Sequence, residues 1–230
     1  MILRNRLFER REPNRDAKTI YIFAEGAKRE KQYFEFFKGI NSRIKIEVYP
    51  LASDQDNSPK GLLALAEHSI LPAKENSNPQ YEFIEGDEVW LVMDIDPDKF
   101  SSRKAQFESV QTKVDSLQGW QMVRSNPCFE VWLYGHVQKQ LPKNLESLQH
   151  CLAWKRLLPQ VIKGGFNSRK FPILIKSAIA FAQQHYRTDA SGPLTGSTEL
   201  FKLGKSIYGL VKPEIEKALQ NLNYDVSGKS

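Results

Sequence analysis

Cysteine is scarce in this chain of 230 residues, which has only two, Cys128 and Cys151. Two cysteines are too few for a disulfide framework, and their spacing matches no zinc-binding pattern. We therefore expect both thiols to be reduced, as is usual inside the cell.

Long apolar runs are also missing from the sequence. No run approaches the roughly 20 residues that span a bilayer, and the first residues lack the apolar segment of a secretory signal peptide. Internal repeats and low-complexity tracts are absent as well. The sequence thus predicts a cytoplasmic protein with no membrane partner.

What is present is a globular composition with a mild basic excess. Apolar residues make up 40% and charged residues 26% of the chain, which is enough to bury a core. The formal charge of +6 permits a polyanionic partner such as nucleic acid but does not require one.

The most informative stretch runs from Asp87 to Asp98. Its apolar part, Val89–Met93, is continuous, which is typical of a strand covered on both faces. Asp94 and Asp96 follow, and Pro97 ends further strand pairing. Because side chains alternate along a strand, Asp94 and Asp96 should point the same way and suit Mg²⁺, or Mn²⁺ in its place. A solvated acidic turn explains the stretch about equally well.

Strand patterns alternate with helix patterns through the first part of the chain. The predicted strands cover residues 19–24, 44–48, 89–93 and 120–123, and the predicted helices cover residues 28–38, 59–70, 101–117 and 129–138. This alternation indicates an α/β fold with a mostly parallel sheet flanked by crossover helices. Further helices are predicted over residues 144–158, 171–186 and 198–222.

The change of pattern predicts three regions. They are a basic N-terminal arm over residues 1–18, an α/β core over residues 19–140, and a helical C-terminal extension over residues 141–230 that packs on the core. The arm could follow phosphates through its arginines, although a frayed, solvated terminus is the commoner explanation. Its arginines are Arg4, Arg6, Arg10, Arg11 and Arg15.

Acidic residues follow three of the predicted strands. Glu25 follows the first strand, with Glu30 about one turn into the next helix; Asp94 and Asp96 follow the third; Glu130 begins the helix after the fourth. Parallel strands bring their carboxyl ends to one edge of a sheet, where ligands bind. Each acid alone could be a solvated turn or helix-face charge. Together they favour a divalent-metal site, and Glu130, among apolar neighbours, needs a partner.

The polar and basic candidates around these acids are less distinctive. We predict that Asn126 orients Glu130, although an Asn in a Ser-Asn-Pro turn more often bonds locally. Five basic residues are candidates for phosphate contact, and each such residue is more often a plain surface charge. They are Lys28, Arg29, Arg124, Arg169 and Lys170.

Several of these residues recur together in a recognisable pattern. The pattern consists of Glu25-Gly26 with Glu30, then Tyr33-Phe34, then Asp94-Ile95-Asp96, and finally SNPCFEVW over residues 125–132. This combination resembles the RloB family, also met as the AbiLii-like component of abortive phage-resistance systems. The likeness covers roughly the first two-thirds of the chain, and the SNPCFEVW run is its most specific part.

The resemblance implies a fold and a site. The RloB family is similar to Toprim domains, the metal-binding α/β fold of topoisomerases, primases and OLD-type nucleases. It implies that Asp94 and Asp96 hold Mg²⁺ and that Glu25 ligates metal or transfers a proton. It also implies a role in antiphage defence, often beside an AAA or ABC-type ATPase. Glu130 as a further ligand is our own inference.

The leading hypothesis is a Mg²⁺-dependent nuclease that acts on RNA, with tRNA as one candidate, or on DNA. Its catalytic candidates are Glu25, Glu30, Asn126 and Glu130, and its metal ligands would be Glu25, Asp94, Asp96 and Glu130. The alternative is a non-catalytic module that binds nucleic acid or an ATPase partner. Nucleotidyl transfer of the primase kind ranks last, because no nucleotide-selecting element is recognisable. A homo-oligomer would suit a toxin that needs restraint.

Overall fold

A five-stranded sheet lies at the centre of the protein, in a computed structural model that describes residues 7–26, 28–51, 55–74 and 76–222. The strands of the described chain are β1 (Lys18–Ala24), β2 (Ile44–Pro50), β3 (Glu88–Asp94), β4 (Trp120–Asn126), β5 (Thr188–Asp189), β6 (Gly192–Pro193) and β7 (Ser197–Thr198). The sheet order is β2-β1-β3-β4-β7, with the first four strands parallel and β7 antiparallel to β4. β5 and β6 form a separate hairpin.

Helices flank this sheet, so the predicted α/β fold is confirmed. The α-helices of the described chain are α1 (Arg29–Phe34), α2 (Pro59–Ile70), α3 (Pro97–Asp115), α4 (Glu130–Tyr134), α5 (Cys151–Val161), α6 (Ile175–His185) and α7 (Phe201–Asn221). No helix among the described residues is long and apolar enough to cross a membrane.

The central strand β3 is buried on both faces, as its unbroken apolar run predicts. Trp90 and Val92 face a core shared with α1 and the C-terminal helices. Leu91 and Met93 face a second core formed with α2 and α3. The carboxyl end of β3 is therefore held rigidly between two packed layers.

The C-terminal helices share their core with the sheet. Leu203 and Ile207 of α7 are fully buried in the same cluster as Ile22 of β1. β7 also comes from this part of the chain and pairs with the end of β4, where Ser197 lies opposite Asn126. The region after residue 141 thus completes both the sheet and one of its cores.

Helix α3 begins earlier than predicted. It starts at Pro97 rather than near Ser101, because the Asp96 carboxylate accepts a hydrogen bond from the Asp98 backbone N–H at 3.1 Å and caps the helix. Pro at the first helical position costs nothing, since that N–H has no helical partner. The predicted helix over 129–138 is also shorter and ends at Tyr134.

The described part of the basic arm packs against the protein. Arg10 donates to the carbonyl of Phe36 at 2.8 Å and to that of Lys38, and the ring of Phe8 packs against Phe36. Arg4 and Arg6 lie outside the described residues.

Cys128 and Cys151 are joined by a disulfide, so the expectation of two reduced thiols is wrong for this structure. Cys128 precedes α4 and Cys151 begins α5. The two positions meet because Tyr134 of α4 packs on Trp154 of α5 in a small apolar cluster. This proximity depends on helix packing, which the spacing of two cysteines cannot reveal.

Candidate metal centre

The ends of β1, β3 and β4 lie side by side in register. Ala24 pairs with Val92, and Asp94 pairs with Ser125. Glu25 continues this alignment, because its backbone N–H donates to the Val92 carbonyl at 3.1 Å. The predicted convergence of the strand ends is thus present in the fold.

Asp94 lies at the middle of a group of acids. The pKa of its carboxyl is well above the usual range, first because burial penalises the charged form and then because Glu30, Glu25 and Glu130 repel it. A backbone N–H of Phe129 partly offsets this shift. Four carboxylates, from the ends of β1 and β3 and from α1 and α4, therefore share one electrostatic environment.

Glu30 is directed into this environment from α1. Its residue is 7% exposed, and burial, followed by repulsion from Glu130, raises the pKa of its carboxyl. The carboxylate lies where a side chain at position 26 would begin, so any residue other than glycine there would displace the Glu30 side chain. Tyr33 anchors the same helix through a 3.0 Å hydrogen bond with His136. Burial lowers the pKa of His136 to about 3, which keeps that ring neutral.

Glu25 is held by a residue that sequence reasoning missed. Arg103 of α3 pairs with the Glu25 carboxylate at 3.2 Å and also donates to the Asn57 side chain at 2.9 Å. The other Glu25 oxygen accepts from the Asp94 backbone N–H at 3.4 Å. The sequence offered one indication of this role: Arg103 is seven residues after Asp96, a spacing that places both residues on the same side of a helix.

Glu130 links α4 to α1. Its side chain is only 4% exposed and pairs with Arg29 at 2.8 Å. The prediction that a buried Glu130 must have a partner is therefore met by Arg29. Its other oxygen lies 3.4 Å from the sulfur of Cys151.

The charge balance of this group fits a divalent cation. Glu25 and Glu130 each have an arginine partner, whereas Asp94 and Glu30 have no salt bridge within 4.0 Å in the described parts of the chain. More distant basic groups offset only part of the unfavourable environment of Glu30. Neighbouring carboxylates that burial already disfavours repel each other unless a proton or a cation lies between them. Carboxylate oxygens are the donors that Mg²⁺ prefers, so the donor chemistry of the residues present fits the predicted ion. Among the described residues, however, no three of the four acids have carboxylate oxygens within 4.8 Å of one another.

Two predicted site residues are engaged elsewhere. The Asp96 side chain is 38% exposed, caps α3 and lies 3.8 Å from Lys99. Asn126 donates through its amide to the Pro193 carbonyl at 2.8 Å, while its Oδ1 is buried without a hydrogen-bond partner among the described residues. Asp96 is thus at the outer rim of the group, and Asn126 ties β4 to the β5–β6 hairpin.

The basic candidates divide into two groups. Lys28, Arg29, Arg169 and Lys170 are exposed, and the first two adjoin the acids at the start of α1. Arg124 is instead committed to a buried ion pair: its Nε lies 3.0 Å from Glu199, whose side chain is 5% exposed. Burial alone would raise the pKa of Glu199, but Arg124 and Lys202 hold it below the usual value.

Replacing Arg124 with alanine is expected to lower the free energy of unfolding by about 2–3 kcal/mol. The change leaves the buried Glu199 carboxylate with weaker compensation, which is among the costlier single substitutions. Urea unfolding of the purified variant measures the loss. Lys170→Ala, a change of the same kind at an exposed site, should stay within about 0.5 kcal/mol of wild type; equal effects would contradict the structural role of Arg124.

Without divalent cations, Asp94 and Glu30 should each contribute to the stability of the folded protein as the pH falls from neutral. Because the pKa of Asp94 and of Glu30 is raised by folding, the folded state binds more protons above the usual values of 3.8 and 4.5. Their contribution to the unfolding free energy begins as the pH falls through the raised pKa values, and it is complete once the pH is below the usual values. Ion-paired Glu199 and buried His136 act in the opposite sense, because folding lowers the pKa of both, so urea unfolding in EDTA should compare wild type with Asp94→Asn.

The variant lacks the Asp94 contribution, so its unfolding free energy relative to that of wild type should decrease as the pH falls through this window. Identical pH dependence of the two proteins would contradict a raised pKa at Asp94.

Comparison with known proteins adds one finding. A family model described as RloB-like protein matches residues 20–207, which is more than half of the chain and includes every acid of the group. Searches of curated proteins and of solved structures found no match.

Proposed function

The chain belongs to the RloB family, and from this membership and the acidic group at the strand ends we propose that it is a Mg²⁺-dependent nuclease. The order of its parallel strands supports a Toprim-like site, because Glu25 follows β1 and Asp94 is the last residue of β3. The nuclease would serve as an effector of antiphage defence, as the family resemblance implies.

One observation carries the proposal. Burial raises the pKa of both Asp94 and Glu30, repulsion from Glu30 raises that of Asp94 further, and neither acid has a salt bridge within 4.0 Å among the described residues. Holding such a pair in a folded protein costs stability at neutral pH. Strained or unfavourable groups of this kind concentrate at functional sites.

In the proposed site, Asp94 and Glu30 would bind the ion, with Glu25 and Glu130 completing its carboxylate shell; Asp96 would join them only by leaving its place as the cap of α3. The ion would supply charge neutralisation at a phosphodiester oxygen and a lower pKa for a bound water. Lys28 and Arg29 would hold the substrate phosphates, since both are exposed beside the acids. Arg103 would position Glu25, which could accept a proton when it is not a ligand.

The partners follow from the same proposal. Nucleic acid is the proposed substrate, either RNA, with tRNA as one candidate, or DNA. An ATPase of the AAA or ABC type would restrain or deliver the nuclease, and a homo-oligomer could serve the same purpose.

The test is incubation of the purified chain with total RNA and with plasmid DNA, with EDTA, Mg²⁺ or Mn²⁺, followed by sequencing of the products. We expect cleavage that requires a divalent cation and is absent from an Asp94→Asn preparation made in parallel. Cleavage that persists in EDTA would overturn the proposed chemistry.

A non-catalytic binding module is the second candidate, and two ion pairs favour it. Arg103 and Arg29 already compensate Glu25 and Glu130 without any metal. In that case the chain would retain nucleic acid or an ATPase without cutting, and Asp94→Asn would leave binding and defence unchanged.

A further inference from the structure

A second set of metal-binding atoms lies beside the four acids. One oxygen of Asp94 and the sulfur atoms of Cys128 and Cys151 all lie within 4.8 Å of one another. Cys128 is 1% exposed and Cys151 is half-buried. The group is therefore assembled by three separate segments, at the end of β3, before α4 and at the start of α5.

The surroundings of Cys151 suit a thiol better than a disulfide. Its sulfur lies 3.4 Å from Oε2 of Glu130, which is hydrogen-bond distance for sulfur. A disulfide sulfur carries no proton, so in the oxidised chain this carboxylate oxygen has no hydrogen-bond donor among the residues that the structure describes. Only the reduced cysteine has an S–H that can donate to Glu130.

We propose that, after reduction, Cys128 and Cys151 bind a single thiolate-preferring divalent cation such as Zn²⁺ together with Asp94, and that Glu130 supplies a fourth donor. Ligands at about 2.0–2.3 Å from a tetrahedral Zn²⁺ are about 3.3–3.8 Å apart. The Asp94 oxygen and the two sulfurs already lie within 4.8 Å of one another, so the site forms once reduction lets the two sulfurs move apart to this ligand spacing. Two sulfur and two oxygen donors favour Zn²⁺ over Mg²⁺, which binds oxygen almost alone.

Reduction of the Cys128–Cys151 disulfide requires a reductant, and a dithiol can supply the electrons and protons. A dithiol transfers two electrons and two protons to the disulfide, which becomes two thiols while the reductant forms its own disulfide. Zn²⁺ then displaces the two thiol protons and is held by two thiolates. Cys151 is the sulfur that the reductant would attack, because it is the more exposed of the two.

This site shares Asp94 and Glu130 with the proposed Mg²⁺ site, but its existence does not rest on the proposed nuclease. Its test uses no nucleic acid, so its failure and the failure of the nuclease proposal are distinguishable. If both proposals hold, Zn²⁺ would withdraw Asp94 from the Mg²⁺ site in the reduced protein.

Co²⁺ is the probe, because thiolate ligation to it gives charge-transfer absorption in the near ultraviolet. The chain is reduced with a dithiol, freed of reductant without oxygen, and titrated with Co²⁺ alone. We expect one Co²⁺ per chain with this absorption, loss of the signal on adding Zn²⁺, and no signal from the oxidised chain. Asp94→Asn should weaken Co²⁺ binding at least about tenfold, whereas Asp115→Asn, an exposed acid at the far end of α3, should not.

Cys151→Ser should remove the charge-transfer signal, with circular dichroism confirming its fold. The comparison of oxidised and reduced wild type needs no variant and stands even where a substitution disturbs folding. Absence of the signal from the reduced chain, or the same signal from the oxidised chain, would overturn the site.

Discussion

Replacing Asp94 with asparagine is expected to reduce Mg²⁺-dependent cleavage by roughly 10²–10³-fold. The carboxylate is at the centre of the four acids, and metal stabilisation of transition-state charge is worth several kcal/mol, each 1.4 kcal/mol being tenfold in rate. Asparagine keeps the size of the side chain, and it removes a charge that burial and three neighbouring acids oppose. We therefore expect no loss of stability without metal, measured by urea unfolding beside kcat/KM.

The matched control is Asp98→Asn. Asp98 is near the same strand end, but its side chain is 73% exposed and faces His150 at 3.4 Å. Cleavage by this variant should stay within about twofold of wild type. Equal losses in both variants would show that general negative charge matters rather than the position of Asp94.

Replacing Glu25 with glutamine is expected to reduce cleavage by about 10²-fold or more, within the range for loss of a proton-transfer group or ligand. Glutamine also weakens the 3.2 Å contact with Arg103. The pH–rate profile separates the two roles. If Glu25 accepts the proton, the variant loses the acidic limb of the profile; if it is a ligand, the variant needs more Mg²⁺ to reach its maximal rate.

Glu35→Gln provides the control for Glu25. Glu35 lies just after α1 with a 41% exposed side chain, so its rate and Mg²⁺ requirement should match wild type. A Glu25→Gln variant with unchanged rate at every Mg²⁺ concentration would remove Glu25 from the site.

Most of the sheet could be predicted from the sequence because its strands are short apolar runs with clear ends. β7 could not, since a two-residue strand has no period and forms only where the end of β4 offers free backbone groups. The start of α3 was predicted wrongly because an aspartate after a strand can either bind a metal ion or cap the next helix, and the sequence does not distinguish these two roles for Asp96. A pattern of acids favoured metal binding, and the fold shows its carboxylate capping a helix.

The candidate site was predicted in part for a similar reason. Residues that follow strands converge by topology, so Glu25, Asp94 and Glu130 could be brought together from the order of elements alone. Their partners could not, because the Arg103 pairing depends on how α3 packs, and the Cys128–Cys151 pairing depends on how α5 packs against α4. Contacts between helices leave little trace in one sequence.

The most direct test of the account is a crystal structure of the protein soaked with Mn²⁺, with the ion located by its anomalous scattering. The account predicts one or more peaks bound by Asp94 together with carboxylates from Glu25, Glu30 or Glu130. Mn²⁺ bound elsewhere, with Asp94 and Glu30 still in contact only with protein at saturating Mn²⁺, would contradict it.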